Sequence, residues 1–395
     1  MAISESRIEN VHALAKGYVD RGALPGYSCI VSCGEDVWFR AYGMRDVERR
    51  LPVERDTVFR LHSMTKPITS VALMMLYEEG RFQLDDAVAR YIPAWENLRV
   101  FEDGDEDSWS TTAPERPMTV KDLLTHTSGL TYGFMYSHPV DAIYRKRGIG
   151  GGDLQAMVDA LADIPLRFSP GTWWSYSHAT DICGYLVQVF SDMDLDVFVR
   201  ERITGPLGMV DSGFMVQPDA VERFAAPYEY LEDGRFARQD DSEARPYLTW
   251  PKLLSGGGGM AATIDDYHRF ARMLLGRGEV GGVRLLGRKT VEYMTMNYLP
   301  GNQDLAAMGQ RVHSEAPFEG TGFGLGFSVV LDPAAANVID SVGDFGWGGA
   351  ASTYFWVDPQ EELVVVFMTQ LRPSSSYPIR RELKTAVYQA LVDRP

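Results

Sequence analysis

Apolar and polar positions along the chain change period several times, and each change predicts an element. Residues 8–18 recur with the spacing of an amphipathic helix. Two runs rich in β-branched and aromatic residues follow, 27–33 and 37–42. The short Gly34-Glu35-Asp36 link between them predicts a hairpin. A long apolar stretch then holds Val71, Leu73, Met74, Met75, Leu76 and Tyr77 and stops at Gly80, a helix C-terminal signal. The middle of the chain is more irregular. Residues 101–117 are acidic and poor in apolar side chains and predict a solvated loop. Short helices are expected at 120–124, 153–162, 181–190, 196–203 and 265–275, with glycine-rich loops at 148–152 and 254–259. Residues 299–321 read as a surface loop. The last quarter is strand-like at 324–331, 351–358 and 362–370, with Asp358-Pro359-Gln360-Glu361 as a tight connection, and a helix at 377–391 closes the chain.

Strands at both ends with helices between them suggest one sheet built from both termini. Residues 1–85 and 320–395 are expected to form that α/β lobe, and 86–319 a mainly helical lobe carrying active-site loops. A chain of 395 residues has room for two intimately packed lobes, and its 45% apolar composition is that of a folded protein. The net charge of −16 argues against nucleic acid or an anionic membrane as partner. The polar first residues lack the apolar core of an export signal, and no run is long enough to span a membrane, so a cytoplasmic protein is expected. Three cysteines are too few and too odd in number for a disulfide framework. Cys29 and Cys33, four apart in a predicted strand, should face the same side, and all three read as reduced thiols.

The candidate chemistry begins at Ser63-Met64-Thr65-Lys66-Pro67. Proline lacks an N–H and is tolerated only in the first helical turn, so a helix must start near Ser63. Residues three apart on a helix can touch, which brings the Lys66 amine to the Ser63 hydroxyl. Burial disfavours a charged amine, and a neutral amine can take the serine's proton. The helix N-terminus would favour an oxyanion at Ser63. Tyr176, in a turn-like segment before a helix, is the candidate partner in proton relay. Gly346-Trp347-Gly348-Gly349-Ala350 precedes a predicted strand, and glycines there allow a ligand close to the backbone. His62 is adjacent to Ser63 and so faces elsewhere on a helix; packing or the pocket edge is its expected place. The chain has no Gly-x-Ser-x-Gly elbow, no His-Glu-x-x-His and no paired Cys-x-x-Cys. Gly322-Phe323-Gly324-Leu325-Gly326 lacks the Lys-Ser/Thr of a phosphate loop.

In order along nearly the whole chain, these motifs resemble those of the serine β-lactamase and penicillin-binding-protein superfamily. The nearest likeness is to its esterase branch, the family VIII carboxylesterases, which are similar to class C β-lactamases. Ser63-Met64-Thr65-Lys66 matches the nucleophile motif, and Tyr176-Ser177-His178 falls where the superfamily has Tyr-x-Asn. Leu123-Leu124-Thr125-His126-Thr127-Ser128-Gly129-Leu130 and Gly205-Pro206-Leu207-Gly208-Met209 also look like family segments. Trp347-Gly348-Gly349 stands in the place of Lys-Thr-Gly. The resemblance implies an α/β sandwich, an antiparallel sheet flanked by helices with a helical lobe beside it. It implies an acyl-enzyme on Ser63, a relay through Lys66 and Tyr176, and an oxyanion hole from the Ser63 and Ala350 N–H groups. His178, Trp347, Gly348 and Gly349 would meet the substrate, a small-molecule ester, without metal or cofactor. His178 in place of asparagine and Trp347 in place of a cation favour a neutral ester over an anionic β-lactam. An amidase, a weak β-lactamase, an acyltransferase and an inactive binding protein are the alternatives. The oligomeric state is left open.

Overall fold

The computed structural model of the protein describes residues 2–240, 245–308 and 318–393. Its main sheet has eight strands: β1 (Gly26–Cys33), β2 (Asp36–Asp46), β3 (Leu51–Pro52), β4 (Thr321–Phe323), β5 (Ser328–Val330), β6 (Phe345–Gly348), β7 (Tyr354–Asp358) and β8 (Leu363–Met368). The order across the sheet is β4-β5-β6-β7-β8-β1-β2-β3, and every pairing is antiparallel. The junction of the two chain ends is the pair β8–β1, with Val365 opposite Val31 and Phe367 opposite Cys29. Both central strands are buried along their whole length, so they read as continuous apolar runs rather than alternating ones.

Each face of the sheet has its own cover. Helices α1 (Glu5–Asp20) and α5 (Ile379–Tyr388) pack together on one face. Ile8, Val11, Leu383 and Val387 meet Cys29, Val31, Cys33, Val365 and Phe367 there. Cys29 and Cys33 do face one way, as strand periodicity requires, and all three cysteines are buried free thiols. The opposite face carries Ile30, Val364, Val366 and Met368 into the larger core. Helix α4 (Ile264–Leu275) lies on that face, against β8, although it sits within the segment expected to form the helical lobe. Helix α2 (Thr65–Glu78) is buried at every position from Thr65 to Leu76 and packs on α3 (Ala179–Ser191).

Three sequence expectations are corrected. Residues 101–117 are not a plain loop: Val100–Gly104 pairs with Trp109–Thr112 as a mostly exposed β-ribbon, whose polar composition hid the pairing. Residues 324–331 are not one strand. The chain turns at Gly324–Phe327 and returns as β5, and Gly326, at φ +99°, sits so close to Ser70 that a Cβ would overlap it. Gly346, Trp347 and Gly348 do not lead directly into a strand; they lie in β6, Gly349 follows it, and the next strand starts only at Tyr354. Within the expected loop 299–321, Leu305 and Met308 are buried, and residues 309–317 lie outside the described ones. No helix among the described residues is long and apolar enough to cross a membrane.

Candidate active site

The nucleophile turn is held from three sides. His62–Met64 forms a short 3-10 turn that runs into α2, with Pro67 third in the helix. Leu61 N–H donates to Met260 O at 2.9 Å, extending the pairing of Val58–Arg60 with Ala261–Thr263. Tyr267 O–H, from α4, donates to Met64 O at 2.9 Å. Met260 N–H donates to Thr65 Oγ1 at 3.1 Å. His62 takes a positive φ of 46° and its ring stays neutral: burial, then Arg372, push it down to about 3.

Lys66 is buried, and its Nζ lies 3.4 Å from Ser63 Oγ. The same amine donates to Gly257 O at 2.7 Å and stands over the rings of Tyr176, at 4.4 Å, and Tyr132, at 5.3 Å. Gly257 is fixed in turn: its N–H donates to Asp181 Oδ1 at 2.9 Å, and Ser255 Oγ donates to the same oxygen at 2.6 Å. A Cβ on Gly256 would stand 2.8 Å from Thr180 O, so glycine is what lets this loop come so close. Burial pushes the Asp181 carboxyl up. The hydrogen bonds from His178 and Ser255 outweigh it and hold the group below the ordinary aspartate range.

Tyr176 is buried and accepts a hydrogen bond from Trp347 Nε1 at 3.2 Å. His126 packs against its ring and is itself held neutral by burial, then by the charge of Lys66. A cavity of about 370 Å³ opens beside these groups. Ser63, Tyr176, Trp347, Gly348, Gly349 and Ala350 share its wall. Neither Ser63 N–H nor Ala350 N–H donates to a protein acceptor among the described residues, so both are available to an oxyanion.

His178 departs from expectation. It is not part of the cavity wall; its Nδ1 bonds Asp181 Oδ2 at 2.8 Å and its ring packs edge-on to Tyr132 at 4.4 Å. Trp347 is not accompanied by apolar groups alone: Arg372, Arg380 and Arg381 border the cavity from the C-terminal segment. Sequence reading missed Tyr132, Asp181 and Arg380, and met Gly257 only as part of the glycine-rich loop 254–259. Asp181 alone had a local signal, three residues after His178 in the first turn of a helix. Among the described residues, Asp340, Asp344 and Asp358 come within 4.8 Å of one another, close enough to chelate a cation. Lys384 Nζ already occupies that place, donating to Asp340 and, at 3.0 Å, to Asp344.

An antiparallel sheet between helix layers, with Ser-x-x-Lys opening a buried helix and a tyrosine over the lysine, defines a β-lactamase/transpeptidase-like fold and site. The chain belongs to the beta-lactamase family, whose model matches residues 11–389. It is 39% identical over 340 residues to Protein Rv1367c of Mycobacterium tuberculosis, covering 85% of this chain and 82% of that one. It is 31% identical over 393 residues to Esterase EstB of Burkholderia gladioli, covering 93% and 92%. Among solved structures it is similar to EstCE1, described as a hydrolase with promiscuous acyltransferase activity. That match has a TM-score of 0.82 and 25% identity, over 97% of this chain and 99% of that one.

Proposed function

We propose that the protein cleaves carboxylic esters, with short acyl chains preferred, through an acyl-enzyme on Ser63. The observation that carries this reading is the buried Lys66 amine, 3.4 Å from the Ser63 hydroxyl and 4.4 Å from the Tyr176 ring. Ser63 Oγ attacks the ester carbonyl, and its proton passes to the Lys66–Tyr176 pair. The carbonyl oxygen takes the negative charge and is met by the Ser63 and Ala350 N–H groups. The relay returns the proton to the departing alkoxide, and water then releases the acid. Likeness to Esterase EstB supports the ester as substrate class.

Transfer of the acyl group to an alcohol is the second reading. Phe134, Phe318, Val330 and Val338 give the cavity apolar walls that favour an alcohol over water as acceptor. The description of EstCE1 supports it. Purified protein should be assayed on short-chain aryl esters, anilides and penicillins, with and without added alcohol. Ester turnover well above the other two is expected; penicillin turnover equal to ester turnover would overturn the ester reading. Alcohol-dependent ester exchange would favour acyl transfer.

A further inference from the structure

We propose that Arg380 is a positioning residue for the oxyanion hole, fixing the Gly349–Ala350 peptide so that Ala350 N–H is aimed at the charge that develops on the substrate. The inference rests on the acyl-enzyme reading of Ser63. Arg380 lies in the first turn of α5, on the side of β6 opposite Trp347. Its guanidinium crosses the strand at Gly348. A Cβ there would stand 2.5 Å from the guanidinium carbon, so any side chain at 348 would displace the guanidinium. Beyond the strand, Nη2 donates to Gly349 O at 2.7 Å and to Thr353 O at 3.0 Å. Thr353 O also accepts from Gly349 N–H at 2.9 Å. One cation therefore ties together both ends of the 349–353 turn.

The consequence follows from peptide geometry. In a trans peptide the C=O and the following N–H lie in one plane and point in opposite directions. Gly349 O and Ala350 N–H belong to the same plane. Arg380, itself at the border of the cavity, holds the carbonyl, so the N–H points away from the guanidinium, and Ala350 shares the cavity wall with Ser63. The bond is charge-assisted, so it is stronger than a neutral one and polarises the peptide, making its N–H a better donor. Gly349 is also pressed against Leu61 O, just ahead of the nucleophile turn, which sets the spacing between the two N–H groups.

The test compares wild type with Arg380→Met, Arg380→Lys and Gly348→Ala. With an aryl ester, Arg380→Met should lose about 10²-fold in kcat with KM little changed, as loss of an oxyanion donor does. Affinity for an arylboronic acid, which forms a tetrahedral anion on the serine, should fall by a similar factor. Arg380→Lys should recover part of the loss. Gly348→Ala displaces the guanidinium without removing it and should reproduce the kcat defect, so the test survives if Arg380→Met fails to fold. A rise in KM with kcat and boronate affinity retained would mean that Arg380 binds substrate directly, and would overturn the proposal. So would wild-type kcat in both Arg380→Met and Gly348→Ala. If wild type turned over no ester, the ester reading would fail instead. Slower phosphonylation of Ser63 in Arg380→Met would still support the role of Arg380, whereas an unchanged rate, or no labelling of wild type, would sink it.

Discussion

The indole N–H of Trp347 donates to the phenol oxygen of Tyr176 across 3.2 Å, joining the strand of the expected oxyanion hole to the expected proton relay. The indole donor occupies a lone pair of the phenol oxygen and leaves the O–H proton to be directed elsewhere. Trp347 thus does more than replace a cation with apolar surface. Trp347→Phe keeps a smaller aromatic ring and deletes the donor. It should lower kcat for an aryl ester about 5- to 10-fold, the effect of ~1 kcal/mol from one neutral hydrogen bond. Unchanged kcat would reduce the contact to packing.

Ser63→Ala should abolish ester turnover and labelling by a serine-directed phosphonate. Intact-mass spectrometry decides this, and a label that persists in the variant would assign the nucleophile elsewhere. Lys66→Ala and Tyr176→Phe should each cost about 10²-fold or more in kcat, and the double variant little further, since the pair acts as one unit.

Substrate charge gives a third expectation. The Trp347 N–H is engaged by Tyr176, and the described donors of Arg380 and Arg381 go to the backbone carbonyls of Gly349, Thr353 and Asn337. At Trp347 itself a penicillin carboxylate meets no cation and loses its hydration on entering. kcat/KM for a short-chain aryl ester should exceed that for any penicillin by at least about 10²-fold. Trp347→Lys should narrow the gap, and steady-state kinetics on both proteins measures it.

Acid should destabilise the fold through two partly buried histidines. Burial, then Arg372, push His62 down to about 3; burial, then Arg272, push His268 down to about 4. In the unfolded chain each takes up a proton near its ordinary value of 6.5. Below that value the unfolded state binds more protons, so stability present above it is lost as pH falls towards the folded values. The slope is about 1.4 kcal/mol per pH unit for each such group. Urea midpoints should fall between pH 7.5 and 5. His268→Gln, which can keep the bond to Ser32 Oγ, should flatten that fall; an identical slope would remove His268 from the account.

Lys384→Met should be among the most destabilising single changes. Lys384 is buried against Asp340 and Asp344, and Tyr388 O–H reaches the same carboxylates. Removing the cation leaves acidic groups buried without their counter-charge, at a cost of about 3–5 kcal/mol. Equilibrium unfolding in urea measures this, and a midpoint equal to wild type would mean that the carboxyls are satisfied without Lys384.

Local pattern alone determined part of this protein. Pro67 confined the start of α2, so Lys66 lies in its first turn and Ser63 in the 3-10 turn that leads into it. The apolar runs of β1 and β8 announced strands, and the spacing of Cys29 and Cys33 announced their common side. Other features had no local signature. The ribbon Val100–Gly104 with Trp109–Thr112 is polar, so periodicity could not reveal it. His178 looked like a pocket residue until Asp181 and Tyr132 claimed its ring. Gly257 lies 191 residues from the Lys66 amine it supports, and Arg380 lies 31 residues from the Gly349 carbonyl it holds. Their roles arise only when the sheet closes from both ends of the chain and α5 folds over β6. Sequence spacing carries contacts within a turn or along a strand. Contacts between distant segments are fixed by packing, and that packing decided which side chains stand around Ser63.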